Sequence, residues 1–183
     1  VKANPSGFKE VESRTAVPNP VKIKAIKFDS LGYTTTQGDK RHEITVTLKD
    51  PGNVKNYYEL VAQVKKQDSS DLHFHIGLTT NDPAVDQQSF DGFLFDDNFF
   101  SGQLYELTFY LEQTPPPSLI REKVKIILRS VNKDYYQYEK KLYKQQGSSG
   151  STGIFGGEPV YIYDNVKNGY GVFGGFSRVV DSF

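Results

Sequence analysis

Two histidines and an aspartate share one face of a predicted strand. The segment from 72 to 78 alternates apolar and polar residues, and Asp71, His73 and His75 occupy the polar positions. Because successive side chains of a strand point to opposite faces, all three would project from the same side. Two imidazoles and a carboxylate are a donor set that zinc accepts, and His42 could complete it. The chain has no tight metal-binding motif, so we interpret this face as a solvated strand surface and expect no cofactor.

A second oxygen-rich cluster falls between aromatic residues, at Asp91, Asp96, Asp97 and Asn98. Calcium takes about six to eight oxygen ligands of this kind. The cluster lacks the D-x-[DN]-x-[DN]-G spacing of a calcium loop, and Asp and Asn are also ordinary turn formers. We therefore expect a structural turn, and keep Asp91, Asp96 and Asp97 as candidate ligand-binding residues.

Three tyrosines lie close together in a helix that we predict near residues 132–145, where apolar positions follow helical spacing. Aromatic faces suit sugar rings, so Tyr135, Tyr136 and Tyr138 could form a platform for a carbohydrate. The spacing of Tyr135 and Tyr138 is typical of core contacts. We therefore expect Tyr136 to lie nearest solvent and to be the candidate ligand contact.

Motifs for nucleophilic catalysis and phosphate binding are missing from the sequence. It has no cysteine, no Gly-x-Ser-x-Gly elbow and no Lys-Ser or Lys-Thr after the glycines of 169–175. Aspartates and glutamates are numerous, but nothing in the sequence pairs two of them in space as a glycosidase requires. We therefore predict that the chain is not an enzyme.

Charge and composition exclude further classes. The 183 residues include 22 Lys and Arg and 22 Asp and Glu, so the formal net charge is zero. A nucleic-acid-binding domain usually has a basic surplus, so we expect no nucleic-acid partner. No apolar run approaches the roughly 20 residues that span a bilayer. A chain of this length can bury a core without the disulfide bonds that the absence of cysteine rules out.

Alternating apolar and polar residues predict a β protein. Strands are expected at residues 21–28, 43–48, 57–65, 72–78, 103–112 and 124–128. Half-buried strands of this kind are typical of antiparallel sheets. We predict a mainly β fold, an antiparallel β-sandwich over residues 21–183 with one α-helix near 132–145. Residues 1–20 would be a linker or the tail of an upstream domain.

Glycines and aromatic residues alternate in the closing stretch, from Tyr163 to Phe176. A helix would not tolerate this composition, whereas a crowded, twisted strand would. Gly171 and Gly174 flank Val172 and Phe173 in this stretch. We expect a strand in which each of the two glycines either avoids a collision or adopts a positive φ.

Four short motifs occur in order along the chain. They are Asp50-Pro51 before Asn56-Tyr57-Tyr58; Phe95-Asp96-Asp97-Asn98 before Gly102; Leu128 and Ser130 before Asp134-Tyr135-Tyr136-Gln137-Tyr138; and Asn165 before Gly169-Tyr170-Gly171-Val172-Phe173-Gly174. Together they resemble an uncharacterised lipoprotein family of the Bacteroidota, known as a domain of unknown function. The resemblance extends from about residue 43 to residue 176.

The resemblance implies an exported protein that is tethered through a lipidated N-terminal cysteine. It also implies an immunoglobulin-like or carboxypeptidase-regulatory-like domain upstream, so we expect this chain to be the C-terminal portion. Its membrane attachment would be a lipid anchor outside the chain, on either face of the outer membrane in the cell envelope. No catalytic residues are implied, because the family has none assigned.

Three functions are carried forward as hypotheses. The first is a non-catalytic accessory protein of the cell envelope, which helps a TonB-dependent receptor to take up a glycan or peptide nutrient. The second is an adhesion or surface-assembly module, for which a sandwich is equally suitable. The third is a glycan hydrolase. A flat face with exposed aromatic residues favours the first, a long unpaired strand edge the second, and a deep pocket with two carboxylates the third.

Overall fold

The predicted alternation of side chains produces a mainly β fold of antiparallel sheets in the computed structural model of the chain. The structure describes residues 1–4, 6–7, 9–65, 73–88, 92–111, 124–149 and 163–182, with the backbone alone at 65, 73–74, 86–88 and 146–149. Two compact units are present, Val1–Pro18 with Val131–Ser177 and Asn19–Ser130 with Arg178–Phe183.

Most of the strands belong to the second unit and form two sheets. The first sheet contains β3 (Ile23–Thr34), β4 (Lys40–Lys49), β10 (Leu104–Leu111) and β7 (Leu78–Thr79), in that order. The second sheet contains, in order, β12 (Phe176–Ser182), β11 (Val124–Val131), β5 (Tyr57–Lys65), β9 (Gly92–Asp96) and β8 (Val85–Gln88), with β6 (His73–His75) also paired to β5.

Side chains from both sheets bury into one shared core, which confirms the sandwich. The largest fully buried side chains of this unit include Ile44, Leu48, Tyr58, Leu60, Phe93, Phe95, Leu107, Phe109, Leu111 and Ile126. In β4 and β10 the buried residues occupy every second position, and the residues between them remain partly exposed. This alternation is what made both strands predictable, because one face of each packs against the core.

The strand predicted at 72–78 is wrong. β6 ends at His75 and pairs with β5, whereas β7 begins at Leu78 and pairs with β10. The chain therefore leaves one sheet and enters the other within this segment. Ile76 and Leu78 are both buried, so the alternation reflects a shared core rather than one continuous strand.

β9 was not predicted, because its sequence does not alternate. Phe93, Leu94 and Phe95 are consecutive and all buried. β9 lies between β5 and β8, and a central strand that is covered on both faces has no polar positions. The turn expected at 91–98 consequently begins only at Asp96, and a short 3₁₀ turn, Asp97–Phe99, follows it.

The helix of the first unit, α1, spans Lys133–Ser149, which confirms the predicted helix and extends it beyond residue 145. Asn132 caps its start, where the Oδ1 atom accepts a hydrogen bond from the backbone N–H of Tyr135 at 2.9 Å. No helix within the described residues is long and apolar enough to cross a membrane.

The closing stretch does not form the predicted strand, since β12 begins only at Phe176. The Asn165 side chain makes the hydrogen bonds that a partner strand would make. Its Nδ2 atom donates to the Phe173 carbonyl at 3.0 Å, and its Oδ1 atom accepts from the Phe173 N–H at 2.8 Å. Asn168 has a φ of 59°, which ends any extended run there.

Residues 1–18 belong to the same unit as α1 and the closing stretch. Within them, β1 (Lys2–Ala3) pairs with β2 (Val11–Glu12). Glu12 and Lys167 exchange two backbone hydrogen bonds, at 3.3 and 2.8 Å. The assignment of residues 1–20 to an upstream domain or linker stays a prediction.

The two glycines of the closing stretch are required for different reasons. Gly171 has a φ of 128° with open space around it, and a Cβ atom on Gly174 would lie 3.0 Å from the Tyr135 Cβ. We expect Gly171→Val to lower the free energy of unfolding by about 1–3 kcal/mol through backbone strain, and Gly174→Val by a similar amount through overpacking. Urea unfolding measures both, and unchanged midpoints for the two variants would contradict the structural role of these glycines.

Candidate functional site

A buried carboxylate lies at the centre of the candidate site. Asp50 follows β4 and is 1% exposed. Its Oδ2 atom accepts hydrogen bonds from the N–H groups of Gly52 and Gly102, at 2.9 and 2.8 Å. Its Oδ1 atom accepts from the Tyr58 hydroxyl at 2.5 Å. A single side chain therefore joins the loop after β4, the loop before β10 and strand β5.

Two glycines allow these loops to approach each other. Gly52 and Gly102 have φ values of 74° and 72°, which side chains rarely adopt. A Cβ atom on Gly52 would also collide with the Cα atom of Gly102. Both positions therefore need glycine for conformation, and Gly52 needs it for space as well.

Asp97, in the 3₁₀ turn, binds the loop between β4 and β5. Its side chain is buried, and its Oδ2 atom accepts hydrogen bonds from the Asn56 N–H at 2.9 Å and from the Asn56 side chain at 3.3 Å. The Asp97 N–H donates in return to the Asn56 carbonyl at 3.3 Å. Three hydrogen bonds between Asn56 and Asp97 therefore hold the loop and the turn together.

Lys55 lies within a set of three oxygen atoms. Its ammonium is 2.9 Å from Asp96 Oδ1, 2.7 Å from Asp97 Oδ1 and 2.6 Å from Asn98 Oδ1. Burial acts to lower the pKa of Lys55, but the hydrogen bonds and charges of Asp97 and Asp96 outweigh it, so the pKa is raised. Three residues of the oxygen-rich cluster, Asp96, Asp97 and Asn98, thus contact a lysine of the chain itself.

An open, shallow pocket of about 380 Å³ lies beside this ion pair network; its lining residues are Gly52, Asn53, Val54, Lys55, Asp97, Asn98 and Ser101. Val54 is 60% exposed, and Phe99 in the adjacent turn is 68% exposed. We call these two side chains the apolar rim. The next residue, Phe100, points the other way, since it is buried and stacks on Tyr105 with ring centroids 3.9 Å apart.

The predicted metal ligands are only partly described. Asp71 lies outside the described residues, and so does the side chain of His73. His75 is exposed on β6 and lies 2.7 Å from the Gln63 side chain. His42 is buried in β4, which belongs to the other sheet. Within the described ranges, no group of three or more His, Cys, Asp or Glu side chains could hold a metal ion.

The other candidate ligand contacts, Asp91, Asp96, Asp97 and Tyr136, have three different outcomes. Asp91 lies outside the described residues, whereas the structure brings Asp96 and Asp97 together on Lys55. The expectation that Tyr136 lies nearest solvent is wrong, because its side chain is 2% exposed. A ring buried in this way has no free face on which a sugar could stack.

Sequence reasoning missed Asp50 and Lys55, although both stand at informative places. Asp50 directly precedes Pro51 at the end of a clear strand, and Lys55 directly precedes the Asn-Tyr-Tyr motif. An acidic residue before a Pro-Gly turn indicates a side chain that binds the backbone of that turn. The first two motifs of the sequence thus meet in space as one hydrogen-bonded cluster.

Comparison with protein families gives one match, to the domain of unknown function DUF4249, over residues 1–181. The chain belongs to this family. The match supports the resemblance to a family of unknown function, and the lipoprotein character and bacterial phylum stay predictions. No curated protein and no solved structure matches the chain.

Proton binding by Tyr58 makes the stability of the folded state depend on pH in a way that can be tested. Burial and the hydrogen bond to Asp50 raise the pKa of Tyr58 above its usual value of about 10. The folded state therefore holds this proton more tightly than the unfolded state does. The resulting stability is complete below about pH 10 and is lost as the pH rises toward the folded pKa.

We expect Tyr58→Phe to lower the free energy of unfolding at pH 7 by about 1–3 kcal/mol, since it removes a hydrogen bond to a buried carboxylate. Above about pH 10 the difference from the wild type should shrink by up to about 1.4 kcal/mol per pH unit. Urea unfolding at pH 7, 9 and 10.5 measures it. Tyr170→Phe, at a side chain that is 98% exposed, serves as the control. A difference that stays constant with pH would contradict the argument.

Proposed function

We propose that the chain is a non-catalytic binding protein of the cell envelope, which assists a TonB-dependent outer-membrane receptor in taking up a glycan or peptide nutrient. The observation that supports this proposal is the apolar rim beside the pocket. The contacts of Asp50, Asp96 and Asp97 hold this rim in a fixed position. The receptor and the nutrient come from the resemblance stated for the sequence.

The apolar rim has the properties of an interface anchor. Val54 directly precedes Lys55, whose ammonium has three oxygen contacts, and Phe99 precedes the buried Phe100. A backbone that is already fixed loses little further conformational entropy on binding. Aromatic anchors of this kind contribute a large share of the free energy at protein interfaces.

The acidic groups of the cluster favour binding over catalysis. A catalytic acid or base needs a titratable group that can reach a substrate. Asp50 and Asp97 are each 1% exposed, and their oxygens accept hydrogen bonds from the protein itself. Their role in this arrangement is to fix the loops.

The cellular setting is part of the same proposal. The motif resemblance supports a lipoprotein of the Bacteroidota, anchored in the outer membrane through a lipid outside this chain. Either the periplasmic or the surface face of that membrane is compatible with the proposal.

An adhesion or assembly module is the second candidate, and one observation favours it. β3 is 12 residues long and, among the described strands, pairs with β4 on one side only. Such an edge can accept a strand from another chain. Lys24 and Lys27 are exposed along it and its pairing is irregular after Asp29, and both features are typical of edges that avoid strand addition. We therefore rank this function second.

The proposal is tested by using the full-length lipidated protein to capture its partners from native outer membranes. We expect a discrete receptor to co-purify with the wild type. Its recovery should fall at least about tenfold with the double variant Val54→Ser and Phe99→Ser, because loss of one anchor residue can cost about 2 kcal/mol or more. Val180→Ser, at another exposed apolar residue, is the matched control. Equal recovery of the receptor by the rim variant would contradict the proposed interface.

A panel of glycan and ester substrates tests catalysis separately. We expect no turnover by the purified chain, because the buried carboxylates are engaged in fixing the loops. The variants Asp96→Ala and Asp97→Ala are assayed in parallel, with thermal unfolding to confirm that each is folded. Turnover by the parent chain that either substitution removes would favour the hydrolase over the binding protein.

A further inference from the structure

A stacked pair of tyrosines lies on the outer face of the four-stranded sheet. The rings of Tyr33 and Tyr110 have centroids 3.7 Å apart and planes 21° apart. Tyr33 belongs to β3 and Tyr110 to β10, and β4 lies between these strands. Neighbouring strands are about 4.8 Å apart, so the two backbones are about 10 Å apart. Both side chains must therefore lean over β4, where their register partners are Arg41 and Glu43.

An irregularity in β3 places Tyr33 in this position. The register shifts between Asp29, opposite Glu43, and Tyr33, opposite Arg41. Without the two additional residues of this bulge, Leu31 would face Arg41 instead. Leu31 has a φ of 60° and is 41% exposed. A bulky residue rarely adopts this conformation, and such conformations are concentrated at functional sites.

Neutral hydroxyl groups continue the face beyond the rings. The hydroxyls of Thr45 and Thr108 lie 2.9 Å apart, one position along the outer face from Glu43 and Tyr110. Burial and the nearby Glu43 raise the pKa of Tyr110, so its hydroxyl stays protonated. The face therefore offers hydroxyls that both donate and accept, a carboxylate that accepts and a guanidinium that donates.

The charges of this face are balanced. Its charged positions, read from the strand register, are Lys27, Asp29, Arg41, Glu43, Lys49 and Glu106. Three of these residues are basic and three are acidic. A polyanion or a polycation would meet repulsion as well as attraction here, so the charge pattern favours an uncharged ligand.

We propose that this face, which we call the tyrosine platform and define by Tyr33, Tyr110, Thr45 and Thr108, binds a neutral oligosaccharide. The apolar C–H faces of pyranose rings pack on aromatic rings, and their hydroxyls match the donors and acceptors around the pair. A sheet face built from four neighbouring strands is long enough for an extended chain of sugars to lie along it. The inference rests on the proposed binding function but uses a different surface from the apolar rim, so each can fail without the other.

Isothermal titration of the purified chain with cellohexaose, xylohexaose, mannohexaose and maltoheptaose tests the platform, with a hexamer of galacturonic acid as the charged probe. We expect at least one neutral oligosaccharide to bind. Tyr33→Ala and Tyr110→Ala should each weaken the affinity for this oligosaccharide at least about tenfold, as loss of an anchoring aromatic ring does. Tyr110→Phe keeps the ring and should weaken the affinity less. Tyr170→Ala, in the other unit, should bind as the wild type does.

Several results would overturn the platform. They are no binding of any neutral oligosaccharide, equal binding by the tyrosine variants, tighter binding of the acidic probe, and a dimer in light scattering that Tyr33→Ala dissociates. Thermal unfolding of each variant checks that lost binding does not reflect lost folding. Tyr110→Leu serves as a second variant, which removes the aromatic ring but keeps a large apolar side chain. Receptor capture without oligosaccharide binding would overturn the platform alone, and oligosaccharide binding without receptor capture would overturn the receptor role alone.

Discussion

The sandwich unit depends most on the hydrogen bonds that the buried carboxylate of Asp50 accepts. The carboxylate accepts hydrogen bonds from strand β5 of one sheet, through Tyr58, and from the loops that follow β4 and precede β10 of the other, through Gly52 and Gly102. A buried charge is costly unless such donors surround it, so the loops are restricted to the few conformations that provide them. Those conformations place Lys55 against the 3₁₀ turn and leave the apolar rim exposed.

The unit that contains α1 relies on neutral side chains for the same purpose. The Oδ1 atom of Asn132 accepts from Tyr135 at the start of the helix and from Gly175 at the end of the closing stretch, at 2.9 and 3.4 Å. Asn165 binds both backbone groups of Phe173. In both units, polar side chains satisfy backbone groups that have no strand partner. The motifs that stand out in the sequence are therefore largely explained by folding.

Sequence patterns predicted those elements whose environment is periodic. β4 and β10 alternate because one face of each is buried, and α1 has a clear cap in Asn132. The phase of the helix was not predictable, because Tyr135, Tyr136 and Tyr138 are all apolar enough to face inward and only packing selects Tyr136. The contact of Lys55 with Asp97 was equally hidden, since it joins residues far apart in the chain through two loops that have no period. The tyrosine platform was hidden as well, because the register of β3 and β10 on β4 brings Tyr33 and Tyr110 together.

The two proposed surfaces share a physical property that the acidic motifs lack. Leu31 adopts a strained backbone beside the platform, and Phe99 exposes most of an aromatic ring beside the pocket. The Leu31 N–H donates a hydrogen bond to Nδ1 of the buried His42 at 3.3 Å, so folding accounts for part of this bulge, but both side chains remain exposed to solvent. Asp50 and Asp97, by contrast, are surrounded by donors and are accounted for by folding. This contrast leads us to assign binding to the exposed apolar and aromatic residues, and a structural role to the carboxylates.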